Sequence, residues 1–360
     1  MEDETLEILN KIYDYGYEAY AVGGFVRDKL LDIPSNDIDI TTNATPMELK
    51  NIFPTIKIPK ENYGSVTLYY KGVRFEITTY RIEIDYLDNR HPTTIKYVND
   101  LKTDLTRRDF TINTICLDRT GQIVDLLNGI DDLNNHLIRT IINSETSFET
   151  DALRILRAVR FAVTLDFKLS DEIIKAIGKK KELLKKLSWN RKKYELDHIF
   201  ASHNAKKGIA LLKELDLLSV LNINDKRIQD YSDLIGIWAM INPSGYNFTN
   251  SEKELIKKIN IVYNMDNLNK KVLYEYGLYV NVLAGLNKGI SKKMIIETYQ
   301  NMPIHARSDI LLSALDICHA IKRKPGSFIN DIYKDLEQKI LDNELNNVKE
   351  ELIDYVTKNY

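Results

Sequence analysis

Two aspartates with one residue between them, Asp37 and Asp39 in the run DIDITT, are the first place where this chain could do chemistry. In an extended strand residues i and i+2 point to one face, so the two carboxylates would stand side by side. Like charges that close repel unless a cation lies between them, and hard oxygen donors select Mg²⁺ or Mn²⁺. Two such ions about 4 Å apart can activate an attacking hydroxyl and stabilise a leaving pyrophosphate. Upstream, Gly23 and Gly24 let the backbone approach an anion closely. A helix expected from Val26 onward offers N–H groups to a phosphate, and Arg27 brings a matching positive charge. Each piece has an ordinary alternative, a solvated strand face for the aspartates and a plain turn for the glycines. In this order and spacing they point together to metal-dependent nucleotidyl transfer.

The elements that must position these groups divide the chain into two textures. Residues 1–140 read as mixed α/β. The short β-prone runs AYAVGG, DIDITT, GSVTLYY, VRFEITTY and GQIVDLL alternate with the helical patterns LEILNKIY, VRDKLL and PMELKNIF. After residue 140 the β signal fades and amphipathic helical patterning runs to the C-terminal YKDLEQKILDNELNNVKEELIDYV, interrupted by INPSGYNFTN, NMPIH and KPGS. The expected fold class is therefore α+β: a small mixed α/β head with an antiparallel-rich sheet, followed by an all-α remainder.

The bulk numbers fit a globular protein with room for several cores: 360 residues, 44% hydrophobic and 28% charged. No apolar run approaches the roughly 20 residues of a membrane span. The acidic, amphipathic N-terminus is neither a secretory signal nor an Arg-rich transit peptide, and a cytoplasmic location is the default expectation. Cys116 and Cys318 are the only cysteines, which argues against a disulfide framework or a cysteine zinc site. A net charge of −2 means that any nucleic-acid binding must rest on a local patch. Residues 175–193 supply one, with nine Lys and Arg against the single acid Glu182. Lys179, Lys180, Lys181, Lys185, Lys186, Lys192 and Lys193 are its candidates for phosphate contact. A solvated lysine face is the ordinary alternative. Lys322, Arg323 and Lys324 form a smaller patch, and the tyrosines at 13, 15, 17 and 20 read as packing.

Five ordered motifs give the chain a resemblance to the class II tRNA nucleotidyltransferases, the CCA-adding enzymes of the DNA polymerase β-like superfamily. Gly23-Gly24-Phe25-Val26-Arg27-Asp28 with Asp37-Ile38-Asp39 matches the first motif, and Arg107-Arg108-Asp109 with Asn113 matches the RRDxxxN motif. Asp85, Tyr86, Asp88 and Arg90 look like the flexible-loop motif, within a stretch, DYLDNRHPTTIKYV, that shows no clear periodicity. Asp151 and Arg154, with Arg157 and Arg160 following, resemble the nucleotide-selecting helix. Ser188, Arg191 and Glu195 resemble the neck motif S-x-x-R-x-x-x-E.

The resemblance implies a catalytic head at 1–140, a helical neck at 141–200, a body at 201–300 and a tRNA-binding tail at 301–360. It implies Asp37 and Asp39 as catalytic metal ligands, with two Mg²⁺ ions or Mn²⁺ in their place. Gly23, Gly24, Arg27, Arg107, Arg108, Asp109 and Asn113 would serve triphosphate and ribose. Glu76, in VRFEITTYR, stands where the superfamily has a third head carboxylate, as a metal neighbour or a support for Arg81. Asp151 and Arg154, three apart on a helix, would share a face. An Arg donor beside an Asp acceptor suits the edges of cytosine and adenine, whereas uracil and guanine present an N–H to the Arg. The family usually has Glu directly before this Asp; here Thr150 stands there, read as an N-cap, with Glu149 one step further away.

The implied partners are the tRNA acceptor arm, CTP and ATP, with no membrane and no obligate protein partner. Rival outputs within the family are a poly(A) polymerase and an enzyme adding only A or only CC. The stretch ENYGSVTLYYKGVRFEITTYR lacks the basic GRRF-like segment of the bacterial poly(A) polymerases. A non-catalytic RNA-binding protein is the rival of another class.

Overall fold

A computed structural model describes residues 2–35, 37–58, 64–86, 92–241 and 244–360, leaving aside the side chains of 83–86, 92 and 93. The chain divides into two compact units, Met1–Asn222 and Ile223–Tyr360.

The first unit begins with helix α1 (Glu2–Asp14), whose first turn carries three acids against the helix dipole. Its sheet runs in the order β3-β4-β2-β1-β7-β8. The strands are β1 (Ala19–Val22), β2 (Ile38–Thr42), β3 (Ser65–Tyr70), β4 (Val73–Thr79), β7 (Cys116–Leu117) and β8 (Ile123–Val124). Only β2 and β4 pair in parallel; every other ladder in this sheet is antiparallel. Period-2 alternation assigns the faces of β2. Ile38 and Ile40 are buried in the core, while Asp39 and Thr41 point the other way, and Asp37 immediately precedes the strand. Helix α2 (Gly24–Leu30) follows β1. Helix α3 (Pro46–Ile52) starts with a capping box between Thr45 and Glu48 and has Pro46 in its first turn.

The stretch expected as an aperiodic loop is largely a hairpin. β5 (Arg81–Tyr86) pairs antiparallel with β6 (Pro92–Tyr97), Arg81 opposite Tyr97 and Tyr86 opposite Pro92. Ile82, Ile84, Thr94, Ile95 and Tyr97 supply the β-branched and aromatic residues that favour strands, although the run as a whole is polar. Helix α4 (Leu101–Thr106) leads to a 3₁₀ turn at Thr111–Asn113, and α5 (Gly129–Asn134) follows β8. A short parallel pair, β9 (Leu137–Ile138) with β10 (Lys168–Leu169), brackets helices α6 (Ser144–Thr150) and α7 (Leu153–Thr164). Then come α8 (Asp171–Lys180), a 3₁₀ segment at Lys181–Lys186, α9 (Trp189–Phe200) and α10 (Ala205–Glu214). One face of α7, through Ile155, Leu156, Val159 and Val163, is fully buried, which fixes the direction of its polar face.

The tyrosine cluster is only partly packing: Tyr13 and Tyr15 are exposed, and Arg119 stacks on the Tyr13 ring at 3.9 Å. In the second unit the described residues contain helices and no strand. These are α11 (Leu234–Ile241), α12 (Asn250–Tyr263), α13 (Lys270–Asn287), α14 (Lys292–Gln300), α15 (Ala314–Ala320), α16 (Phe328–Leu341) and α17 (Lys349–Asn359). Ile332, Leu336 and Ile340 of α16 and Leu352 and Val356 of α17 belong to one core. Among the described residues no helix is long and apolar enough to cross a membrane.

Candidate active site

The pairing of β1 with β2 sets Val22 opposite Asp39. The chain then turns at Gly23, with φ +80°, and α2 starts at Gly24, two residues before the expected start. A Cβ at Gly23 would lie 3.3 Å from Asp39 Oδ2 and 3.6 Å from Arg108 Nη1. The positive φ is what calls for glycine here, and a Cβ would in addition press on the Asp39 carboxylate. The parallel pairing of β2 with β4 sets Glu76 beside Asp39. Arg74 reaches Asp37 Oδ1 at 3.2 Å and Glu76 Oε2 at 3.6 Å.

Burial pushes the Asp39 carboxyl above its ordinary value, Arg108 opposes the shift, and the neighbouring Glu76 and Asp37 add to it. A half-buried carboxylate repelled by two others is the environment that a divalent cation would relieve. Among the described residues no three His, Cys, Asp or Glu side chains converge closely enough to hold a metal by themselves. An ion on Asp37 and Asp39 would therefore draw its other oxygens from water and substrate phosphate, as Mg²⁺ commonly does.

The arginines are organised by an acid that the sequence reading overlooked. Asp104, on α4, is fully buried. It accepts hydrogen bonds from Arg107 Nε (2.8 Å), the Thr41 hydroxyl (2.8 Å) and the Arg81 N–H (3.1 Å), and Arg108 Nη2 lies 3.7 Å away. Burial alone would raise its pKa. The charges of Arg107 and Arg108, with the hydrogen bonds from Arg107 and Thr41, outweigh burial and set it below the ordinary range. The available signal was the i, i+3 and i, i+4 spacing from Asp104 to the two arginines.

Asp109 is a second buried hub. Arg157 donates to its Oδ2 from Nε at 2.7 Å and approaches it with Nη2 at 2.6 Å, while Asn113 Nδ2 donates to Oδ1 at 2.9 Å. Burial disfavours its ionised form, but Arg157, Asn113 and Arg154 hold the pKa well below the usual carboxylate range. Asn113 in turn accepts from Arg27 Nη1 at 2.7 Å, and Arg27 also pairs with Asp28.

Asp151 and Arg154, expected to select the base from one helix face, do not share a helix. Asp151 has an extended backbone between α6 and α7, and its Oδ1 accepts from the Leu153 N–H at 2.9 Å. Thr150 is not an N-cap; it ends α6 and its hydroxyl donates to the Thr146 carbonyl. Glu149 pairs with Lys180. Arg154 is buried, with Nη1 donating to Ser147 Oγ (2.8 Å) and Nη2 to the Arg107 carbonyl (2.5 Å). Glu195, buried on α9, lies 3.2 Å from Arg160 Nε and 3.9 Å from Arg157 Nη1. Arg27, Arg157 and Arg160 also crowd around the Phe161 ring, at 4.9, 5.3 and 4.7 Å from its centroid. Ser188 occupies the N-cap position of α9 without a hydroxyl cap, and Arg191 is half-buried on that helix.

One cavity of about 530 Å³ gathers most of these groups. Gly23, Gly24, Arg27, Asp37 and Asp39 line it together with Arg107, Arg108, Asp109 and Asn113, and so do Asp151, Arg154, Arg157 and Arg160. Phe161 and Tyr194 complete the lining, and neither had been singled out by sequence. Glu76, Ser188, Arg191 and Glu195 are not part of it. Asp88, Arg90 and His91 lie outside the described residues, as do the side chains of Asp85 and Tyr86.

The lysine stripe is reduced. Lys192 is fully buried, with Nζ 3.4 Å from the centroid of the Trp189 ring, and cannot contact a phosphate in this fold. Lys179 and Lys180 pair with Glu145, Lys181 with Asp216, Lys185 with Glu182 and Lys193 with Asp197.

Comparison with known proteins gives the family and the fold. Residues 19–139 match the poly A polymerase head domain. Residues 166–223 match the RNA and SrmB-binding site of polymerase A, and 246–356 match the tRNA nucleotidyltransferase domain 2. The chain is 33% identical to a CCA-adding enzyme of Lactococcus lactis subsp. cremoris, over 98% of this chain and 95% of the relative. The chain belongs to the CCA-adding enzyme family. Among solved CCA-adding enzymes, that of Bacillus stearothermophilus in complex with CTP superposes with a TM-score of 0.83 at 24% identity, covering 99% of this chain and 96% of the other. That of Thermotoga maritima complexed with tRNA gives 0.70 at 20% identity, covering 99% and 94%. At that identity the two structures establish the fold.

Two outcomes follow for the hubs. Asp104→Asn leaves the half-buried Arg107 and Arg108 without their buried carboxylate and is expected to lose about 1.5–3 kcal/mol in urea denaturation. Asp109→Asn is expected to lose about 1.5–3 kcal/mol at pH 7. The folded-state pKa of Asp109 is depressed, so its contribution is present above the unfolded value near ~3.9 and fades as pH falls below it. The gap between wild type and Asp109→Asn should therefore narrow from pH 7 to pH 3; a constant gap in urea midpoints contradicts the assignment.

Proposed function

We infer that this chain adds C, C and A to the 3′ end of tRNA, taking CTP and ATP as substrates and releasing pyrophosphate. The observation that carries this reading is the convergence, in one cavity, of an Asp37/Asp39 carboxylate pair, a set of arginines and the Asp151/Arg154 pair. Each of the three serves a different part of a nucleotide: the reacting phosphate, the rest of the triphosphate and the base edge.

In this proposal Asp37 and Asp39 hold Mg²⁺, which when bound supplies Lewis-acid activation of the attacking 3′-hydroxyl and of the leaving group. Arg27, Arg108 and Asn113 bind triphosphate and ribose around the Gly23–Gly24 turn, where no side chain obstructs the approach. Arg107 serves the same group while its Nε stays on Asp104. Arg154 is held by Ser147 and by the Arg107 carbonyl, so its donors meet a base edge without paying to be ordered first. Asp151 supplies the acceptor for the exocyclic amine of cytosine or adenine. We retain the division into head (1–140), neck (141–200), body (201–300) and tail (301–360). We also retain contact of the tRNA backbone with the exposed lysines at 179, 185 and 186 and the half-buried ones at 180, 181 and 193, and a cytoplasmic setting.

The decisive assay incubates the protein with tRNA lacking CCA and with labelled CTP and ATP, separately and together. Three added nucleotides are expected with both; a long adenosine tail, or a stop after two or one, would assign a rival output instead. The double variant Asp37→Ala, Asp39→Ala should fall to background, and retained activity would remove these residues from the metal site. Arg154→Lys keeps the charge and loses the planar fork. It should lower the preference for CTP over UTP by roughly 10- to 100-fold, the range of a charged hydrogen bond. An unchanged preference in competition assays would place base selection elsewhere.

A further inference from the structure

A nucleobase has faces as well as edges, and the cavity described so far serves only the edge and the phosphates. Its lining is almost entirely charged or polar, apart from two glycines and two aromatic rings. Phe161 is buried, and three guanidinium groups already lie around its ring. The other ring is that of Tyr194, whose residue is 57% exposed. Among the described lining residues it is the one exposed aromatic face.

Two supports keep that ring in place. His198, one turn further along α9, packs its ring against that of Tyr194 with centroids 4.5 Å apart, and its Nδ1 lies 2.8 Å from the Tyr194 carbonyl oxygen. The next residue, Glu195, ties the same turn of helix to Arg160 and Arg157 on α7 through buried ion pairs. The aromatic face thus stands on a rigid helix beside the arginines that line the cavity.

We propose that Tyr194 is the stacking platform for a nucleobase in this cavity, a role that rests on the nucleotidyl-transfer reading above. Every base has a π-face, so stacking binds cytosine and adenine alike and leaves the choice between bases to the edge. A single pocket that must accept both a pyrimidine and a purine needs such an indifferent contact. The base belongs either to the incoming nucleotide or to the 3′-terminal residue of the tRNA, and both present the same chemistry to the ring.

Steady-state kinetics of the full chain separate the two. Wild type, Tyr194→Ala, Tyr194→Phe and Tyr194→Trp are compared with CTP, ATP and tRNA varied in turn. Tyr194→Ala is expected to raise either the KM values for CTP and ATP or that for tRNA about tenfold, while Phe and Trp stay near wild type. A rise confined to CTP and ATP assigns the incoming base, and a rise confined to tRNA assigns the terminal one. Melting temperatures should not change, because the side chain is exposed; a Tyr194→Ala defect that only follows a lowered melting temperature counts against stacking. All three KM values of Tyr194→Ala within twofold of wild type would overturn the proposal. So would Tyr194→Phe being as impaired as Tyr194→Ala, since the hydroxyl would then be the active part. In either case an active wild type leaves the parent reading intact, whereas an inactive wild type removes both.

Discussion

Mutual repulsion among arginines is the constraint around which this site is built. Six of them, Arg27, Arg107, Arg108, Arg154, Arg157 and Arg160, line one cavity with four aspartates. Two like charges 6 Å apart at an effective dielectric of 20 repel by about 3 kcal/mol, so such a set forms only where each member has a counterweight. The counterweights are specific. Asp104 serves Arg107 and Arg108 from behind the cavity, Asp109 and Glu195 serve Arg157, and Glu195 serves Arg160. Arg154 leans on a hydroxyl and a carbonyl, and the Phe161 ring accepts three cations against its π-electrons. Because Asp104 and Glu195 are buried outside the lining, they neutralise the cluster without occupying the space a triphosphate would need.

The same constraint explains which parts of the site were legible in the sequence. Asp37 and Asp39, Gly23 and Gly24, and the RRDxxxN run stand out because strand period, turn chemistry and charge spacing are local properties. The role of Asp104 is local only in its spacing to Arg107 and Arg108: its partner Thr41 lies 63 residues away, brought close only by the sheet. Thr150 and Asp151 were misplaced for a related reason. The break between the two helices falls at Asp151-Ala152 with no glycine or proline to mark it, and the carboxylate of Asp151 settles it by taking the Leu153 N–H. Lys192 could have been recognised. It shares the 192, 195, 196, 199 spacing of one helix face with Glu195, Leu196 and Ile199, all of them buried. Its charge drew the reading toward solvent. The partners of Lys180 and Lys181, on α6 and beyond α10, belong to the fold rather than to the run that contains them.

Arg154 also joins two tasks that the sequence motifs present as separate. One of its terminal nitrogens donates to the backbone carbonyl of Arg107, the residue next to Arg108, and the other to Ser147 on α6. Arg108 in turn lies beside the Gly23 turn and influences Asp39. In the proposed function the group that reads the base edge is thus bonded to the segment that holds the triphosphate, with no flexible link between them. Reaction depends steeply on the position of the attacked phosphorus, and misplacement by about 1 Å can cost a hundredfold. A base that mispairs with Asp151 and Arg154 then has two ways out: it loses edge hydrogen bonds, or it keeps them and drags its phosphates off the Gly23–Asp39 corner. Discrimination built this way acts on turnover as well as on binding, which a surface arginine on a mobile loop would not achieve.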